Sequence, residues 1–316
     1  MPKSIRDTYG EALLACGREN KNIVVLDADV SGSTRSSMFG KEFPERFFNV
    51  GIAEANMTAM AAGFASAGKI PFVNTFAAFV TTLGLLPARA LCSYSKLPVK
   101  LMGAYGGLSD AFDGPSHHAV EDLAIMRSLP NFKVYVAGDA TQARWLVKHV
   151  IDDPSPVYVR LSRDTFPDVY TGDGAFTDGK GIVVREGCDA TVIACGILVG
   201  FASEAADELS KEGISVRVVD MFCIKPIDAG LVIESAKKTG AIVTAEEHSI
   251  IGGLGGAVCE TLCEAGAAVP VARVGLNDCH AECGPYKKLL AKYGIDKQAV
   301  IDAVRGLVAK KNVMVK

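Results

Sequence analysis

The 316-residue chain is 49% hydrophobic and 22% charged, with a formal net charge of -3. That composition supplies large apolar cores, fits about two domains and offers no general electrostatic attraction for nucleic acid. No apolar run is long enough to span a bilayer, and MPKSIRDTYGEALLACG lacks the apolar core of a signal peptide.

In chain order the pattern alternates strand and helix. NIVVLDAD (Asn22 to Asp29) is a β-branched run ending in acids and reads as a buried parallel strand. FFNVGI reads as a second strand and MTAMAAGFASAG as a buried helix, with the lone carboxylate Glu54 just ahead of it. A buried charge is costly unless it is paired, so Glu54 calls for a reason. KIPFVNTFAAF, LPVKLMGAYGG, FKVYVAG and PVYVRLS continue the strands, with VEDLAIMRSL and the amphipathic ATQARWLVKHVID among the helices. Such alternation predicts a mainly parallel sheet with helices on both faces.

The Asp-, Gly- and Thr-rich stretch SRDTFPDVYTGDGAFTDGKG breaks the periodicity. It divides the chain into a first domain over 1–165, a linker over 166–184 and a second domain over 185–316. A second α/β series follows: GIVVREG, DATVIACG, the helix LVGFASEAADELSKEG, ISVRVVDM, the helix DAGLVIESAKKTG, GAIVTAEE, the helix AVCETLCEAG, PVARVG and an amphipathic helical tail. The fold class is thus α/β, with two doubly wound domains.

Several motifs allow more than one reading. The nine cysteines, mostly in apolar segments, point to reduced thiols in a cytoplasmic protein. Cys259 and Cys263, and the cluster Cys279, His280 and Cys283, lack a second pair at zinc-site spacing, so no metal is assigned to this chain. GGLGG lacks the lysine of a phosphate loop and reads as tight strand-to-helix packing. GDG at Gly172–Gly174 reads as a linker turn, because the next Asn after Asp173 is Asn277. In DGPSHHAVEDL, the adjacent His117 and His118 suit acid/base work, a metal or an exposed loop alike. Phe76 and Phe79 are core aromatics or the wall of a cleft at a strand's carboxyl end. Arg163, just past a strand, is a surface charge or an anion ligand.

Taken together, GIAEANM, NTFAAFVTT, DGPSHHAVEDLAIMRSLPN and RLSR resemble the transketolase family in order and spacing, and DMFCIKPID and AEEHSIIGGLGGAV resemble its C-terminal domain. The resemblance covers essentially the whole chain, but only the C-terminal half of a full-length transketolase. It implies the C-terminal subunit of a split enzyme, completed by an N-terminal subunit that carries the GDG…N motif and holds Mg2+ or Ca2+. It further implies thiamine diphosphate as cofactor and, by analogy, a heterotetramer with two sites, in which the small-residue helix suits subunit packing.

Residue by residue, the resemblance makes Glu54 the partner of an aminopyrimidine ring nitrogen. A carboxyl in an apolar setting holds a proton that such a nitrogen can share. Phe76 and Phe79 become the aromatic wall, Ile52 a neighbour of the ring, and Asp29 an acid near the thiazolium. Arg6, Ser33 and Arg163 match sugar-phosphate ligands, Asp113 and His117 match groups that read substrate hydroxyl and carbonyl, and His118 is a bystander. Tyr105 stands where transketolases usually carry a His, and Ala111-Phe112 replace Gly-Glu. The departure shifts the expected substrate away from standard pentose phosphates, while leaving ketol transfer in place. The β chain of a two-chain 2-oxoacid dehydrogenase decarboxylase and a non-catalytic scaffold are the competing readings. A 1-deoxy-xylulose-phosphate synthase fits less well, being normally one chain.

Overall fold

The computed structural model describes residues 3–314 except 173. Six parallel strands build the first sheet: β1 (Ile23–Asp27), β2 (Phe47–Asn49), β3 (Ile70–Phe76), β4 (Lys100–Ala104), β5 (Lys133–Val136) and β6 (Val157–Leu161). β1, β4 and β6 are buried along their whole length, which is why their sequences run apolar without alternation. The second domain contributes β7 (Ile182–Arg185), β8 (Ala190–Ala194), β9 (Val216–Asp220), β10 (Cys223–Lys225), β11 (Ile242–Ser249) and β12 (Val271–Leu276).

The sheets are ordered β10-β5-β6-β4-β3-β1-β2 and β12-β11-β8-β9-β7. Strand β10 crosses from the second domain and pairs antiparallel with β5, so the two domains share a sheet. β7 is the antiparallel edge of the second sheet. DMFCIKPID, read above as part of the second domain alone, therefore docks on the first.

Among its described residues the stretch between β6 and β7 has no regular element but is firmly tethered. The amides of Val169 and Tyr170 donate to Asp139, and the Tyr170 hydroxyl donates to the buried Asp220 at 2.6 Å. Gly172 and Gly174 both have positive φ (73° and 65°), as turn glycines do; the Asp173 of GDG lies outside the described residues. The expected buried helix after Glu54 spans Glu54–Ser66 and buries Met57, Thr58, Ala61, Ala62 and Ala65, whereas Ala55, Asn56, Gly63 and Ser66 are exposed. It is buried on one face only. Four of the nine free cysteines are buried (Cys16, Cys92, Cys195 and Cys223) and four are exposed, so the thiols are less uniformly interior than their apolar segments suggest. The GGLGG turn opens helix Leu254–Glu264, whose first amides, Leu254 and Gly255, donate to Glu246 at 2.7 and 2.8 Å. A carboxylate of the chain thus occupies the helix N-terminus that a phosphate would otherwise seek.

Candidate active site

The candidate residues follow the carboxyl ends of successive strands of the first sheet. Asp29 comes after β1, Ile52 and Glu54 after β2, Phe76 ends β3, Tyr105 follows β4, and Arg163 lies just beyond β6. Residues far apart in sequence are therefore gathered at the carboxyl end of one sheet, the place where open α/β sheets bind ligands.

Glu54 is the first residue of its helix and is only 4% exposed. The helix dipole favours an acid there. Its Oε1 accepts a hydrogen bond from Thr75 at 3.2 Å, while Oε2 has no hydrogen-bond partner among the described residues. Ile52, two residues earlier, is 83% exposed, which excludes core packing within this chain. Phe76 is buried and Phe79 partly so, with ring centroids 5.9 Å apart and planes tilted by 46°. Asp29 has φ +67° and accepts from Asn49 at 2.8 Å. The loop-capping acid is Asp27, whose carboxylate receives Val30 N, the Thr34 hydroxyl and the Ser36 hydroxyl. Burial raises the Asp27 pKa, against those three hydrogen bonds. Ser33 sits on the short helix Ser31–Thr34 that this acid anchors, with no polar contact to Arg6 or Arg163.

A second group of residues surrounds Tyr105. Its ring lies 4.8 Å from that of Phe76, with planes 14° apart, and the residue is 3% exposed. Arg6, on the first turn of helix Ile5–Glu19, donates to the Tyr105 hydroxyl. The Arg163 guanidinium carbon stands 5.0 Å from the Tyr105 ring centroid, a cation–π distance. Tyr105 is thus an aromatic plug gripped by two guanidinium groups. His117 meets Phe79 edge-on at 5.0 Å, and its Nδ1 lies 3.0 Å from the Ser116 hydroxyl. His118 is buried with neither ring nitrogen hydrogen-bonded among the described residues, and burial lowers its pKa.

Asp110 was missed by the sequence reading. It is fully buried, its Oδ1 accepts from Arg163 at 3.2 Å and its Oδ2 has no hydrogen-bond partner among the described residues. Burial and the neighbouring Asp113 push its pKa up to about 7, against the pull of Arg163. Asp110, Asp113 and His117 bring one ligating atom each within 4.8 Å of the others, but the buried member already accepts a hydrogen bond from the Arg163 guanidinium. A similar trio, His149, Asp153 and Asp178, surrounds the Lys133 ammonium, which bonds both acids at 2.6 Å. Nothing in the local sequence marked Asp110, because its burial and its pairing with Arg163 are tertiary facts.

The sequence matches the family described as transketolase, pyrimidine binding domain, over residues 1–168, and that described as transketolase, C-terminal domain, over residues 179–300. It is 42% identical over 300 residues to a putative transketolase C-terminal section of Methanocaldococcus jannaschii, covering 94% of each chain. It is 39% identical to the 6-deoxy-6-sulfo-D-fructose transketolase subunit SqwH of a Clostridium species, covering 98% of this chain and 95% of that one. Against mouse transketolase it is 37% identical and spans 49% of that protein's length. Among solved structures, a split gene transketolase described as an inactive β4 tetramer superposes with a TM-score of 0.90 at 49% identity, covering 97% of this chain and 98% of that one. The chain belongs to the transketolase family and carries its pyrimidine-binding and C-terminal domains.

Proposed function

We propose that this chain is the C-terminal subunit of a split, thiamine-diphosphate-dependent transketolase that moves a two-carbon ketol unit from a ketose phosphate to an aldose acceptor. The observation that carries the reading is end-to-end similarity, at 49% identity and TM-score 0.90, to a β chain of a split transketolase. That protein is described as inactive as a β4 tetramer; the same dependence on an N-terminal partner is the expectation here.

The residues present fit the pyrimidine end of the cofactor. A buried carboxyl whose Oε2 has no hydrogen-bond partner among the described residues, an exposed isoleucine two residues earlier and a tilted phenylalanine pair supply the polar group and the apolar faces that such a ring needs. Bound there, the cofactor supplies the carbanion chemistry. Glu54 would hold the proton shared with the ring, Thr75 orients that carboxyl, and Phe76, Phe79 and Ile52 exclude water around it. Asp29, fixed by Asn49, adds negative charge at the mouth. The diphosphate and its Mg2+ or Ca2+ belong to the partner subunit with its GDG…N motif.

Arg6 and Arg163, with Ser33, would take the substrate's anionic end, a task suited to planar guanidinium groups. Asp113 and His117 would read its hydroxyl and carbonyl groups. Tyr105 narrows that end, consistent with a substrate other than the standard pentose phosphates. Two relatives are described as acting on unusual anionic sugars: 6-deoxy-6-sulfo-D-fructose, and apulose 4-phosphate for a Phocaeicola vulgatus subunit 38% identical to this chain.

Affinity capture of the tagged chain from its host, followed by mass spectrometry and a screen of ketose donors, tests the reading. A stoichiometric partner carrying GDG and the trailing Asn, with ketol transfer by the pair, is the expected result. Pyruvate decarboxylation by the captured complex would instead favour the 2-oxoacid dehydrogenase type, and a complex indifferent to Glu54→Gln would favour a scaffold.

A further inference from the structure

Tyr105, Asp113 and His117 all lie on one excursion between β4 and helix Asp122–Ser128. Its two limbs are pinched together: Gly107 N donates to Ala119 O at 2.9 Å, and Ala119 N to Gly107 O at 3.0 Å. From that pinch the excursion leans on the second domain at three backbone points. Leu108 N donates to the Glu247 carboxylate at 2.7 Å, Ser249 N donates to Val120 O at 2.7 Å, and Gly284 N donates to Ala111 O at 3.0 Å.

Glu247 is the hub of this contact. It lies in β11 and is 6% exposed, and the same Oε1 that receives Leu108 N also receives the Tyr286 hydroxyl at 2.7 Å. Behind it, the buried Arg160 donates from one Nη2 to Ala119 O at 2.8 Å and to Glu247 O at 2.6 Å. The packing leaves no slack: a Cβ on Gly107 would stand 2.3 Å from Glu247 Cδ, and Gly107 holds φ +66°. A carboxyl this deep is costly unless its hydrogen bonds are filled, so its place in the fold demands an account. Burial pushes its pKa up to about 7, against Arg160 and the two donors.

We propose that Glu247 is a positioning residue through which the second domain fixes the substrate-reading excursion, so that this domain sets sugar affinity without touching the sugar. The identity of the sugar rests on the function proposed above; the mechanical link does not. Leu108 sits three residues beyond Tyr105 and five before Asp113, so its amide sets where both side chains emerge. Releasing it loosens substrate contacts while leaving Glu54, which Thr75 holds from β3, in place.

The test compares Glu247→Ala, Glu247→Gln and Tyr286→Phe, both as the free chain and in the two-subunit enzyme. In hydrogen-exchange mass spectrometry of the free chain, Glu247→Ala loses protection across 105–121 while β1 and β3 keep theirs. In the assembled enzyme it raises KM for the sugar about tenfold, the scale of one buried donor left without its acceptor. Thiamine diphosphate affinity changes less than KM, because Thr75 holds Glu54 outside the excursion and only the faces of Phe76 and Phe79 turned toward Tyr105 and His117 lose packing. Glu247→Gln, whose amide oxygen still accepts both donors, restores KM. Tyr286→Phe, which keeps the Leu108 bond, raises KM about threefold and covers the case in which the alanine variant does not fold. Unchanged KM and unchanged protection in the folded variants would overturn the proposal, as would a uniform loss of protection in both domains with KM intact. A wild-type pair without ketol transfer would overturn the proposed function instead, leaving the exchange measurement to decide the positioning role.

Discussion

Replacing Asp110 by Asn removes a charge from beside Arg163 while keeping the shape of the side chain. The wild-type carboxyl is fully buried and pushed up to about 7 by burial and by Asp113. Below that value it is neutral, and on the function proposed above the Arg163 charge is free for a substrate anion. As pH rises through about 7 it ionises and competes for the same guanidinium. The Arg163 side chain is 36% exposed, so solvent screens the pair and its competition is worth about 1 kcal/mol, or about fivefold in affinity. The assay is KM for an anionic ketose donor between about pH 6 and pH 8.5, for wild type and Asp110→Asn in parallel. Ionisation of the substrate's own phosphate cancels in the ratio. That ratio, wild type over variant, should climb about fivefold as pH passes through 7. A ratio that stays flat would refute the competition between Asp110 and the substrate for Arg163.

Other perturbations probe separate parts of the structure. Tyr105→Phe keeps the stack on Phe76 but deprives Arg6 of its acceptor; a loss of about 1 kcal/mol and a weaker hold on the anionic substrate are expected, by differential scanning fluorimetry and KM. Unaltered melting and KM would show that the hydroxyl is idle. Asp220 is buried with Tyr170 and Gln142 as donors and, among the described residues, no cation paired with it, and burial raises its pKa to about 7. A raised carboxyl pKa contributes stability that is complete below about pH 4 and lost as pH rises through about 7, at most about 4 kcal/mol. Asp220→Asn should therefore flatten the fall in melting temperature between about pH 5 and pH 8, and parallel curves for the two proteins would contradict the assignment. Gly17→Ala would place a Cβ 2.4 Å from the Phe39 ring, and overpacking of this kind costs about 1–3 kcal/mol. An unchanged denaturation midpoint would mean that the helix slides aside freely.

Much of the architecture was legible because its signals are local. The β-branched runs NIVVLDAD and PVYVRLS are strands buried on both faces, and such strands need no partner in view to be recognised. Strand β10 was not legible: three residues carry no periodicity, and their pairing with β5 depends on how two domains meet. The site divides in the same way. Glu54, Phe76 and Phe79 stood out as types placed against their surroundings, a charge before a buried helix and aromatics at a strand's end. Ile52 could not be distinguished from a core residue until its exposure was known. Asp110 and Glu247 were invisible because each acts through a partner distant in sequence, Arg163 for one and Leu108 for the other. Periodicity reports which face of an element is buried, and has nothing to say about a carboxyl that satisfies another segment's amide.

The central claim is that this chain supplies the pyrimidine half of a cofactor site that exists only with its partner. The direct measurement is thiamine diphosphate binding by calorimetry, alongside ketol transfer, for the chain alone, for its mixture with the GDG-bearing subunit, and for the same mixture with Glu54→Gln. Expected are no binding and no turnover alone, both in the mixture, and binding with turnover lowered about 10²- to 10⁴-fold for the variant, the scale of a lost proton-holding group. Tight cofactor binding by the chain alone, or full activity of the Glu54→Gln mixture, would contradict it.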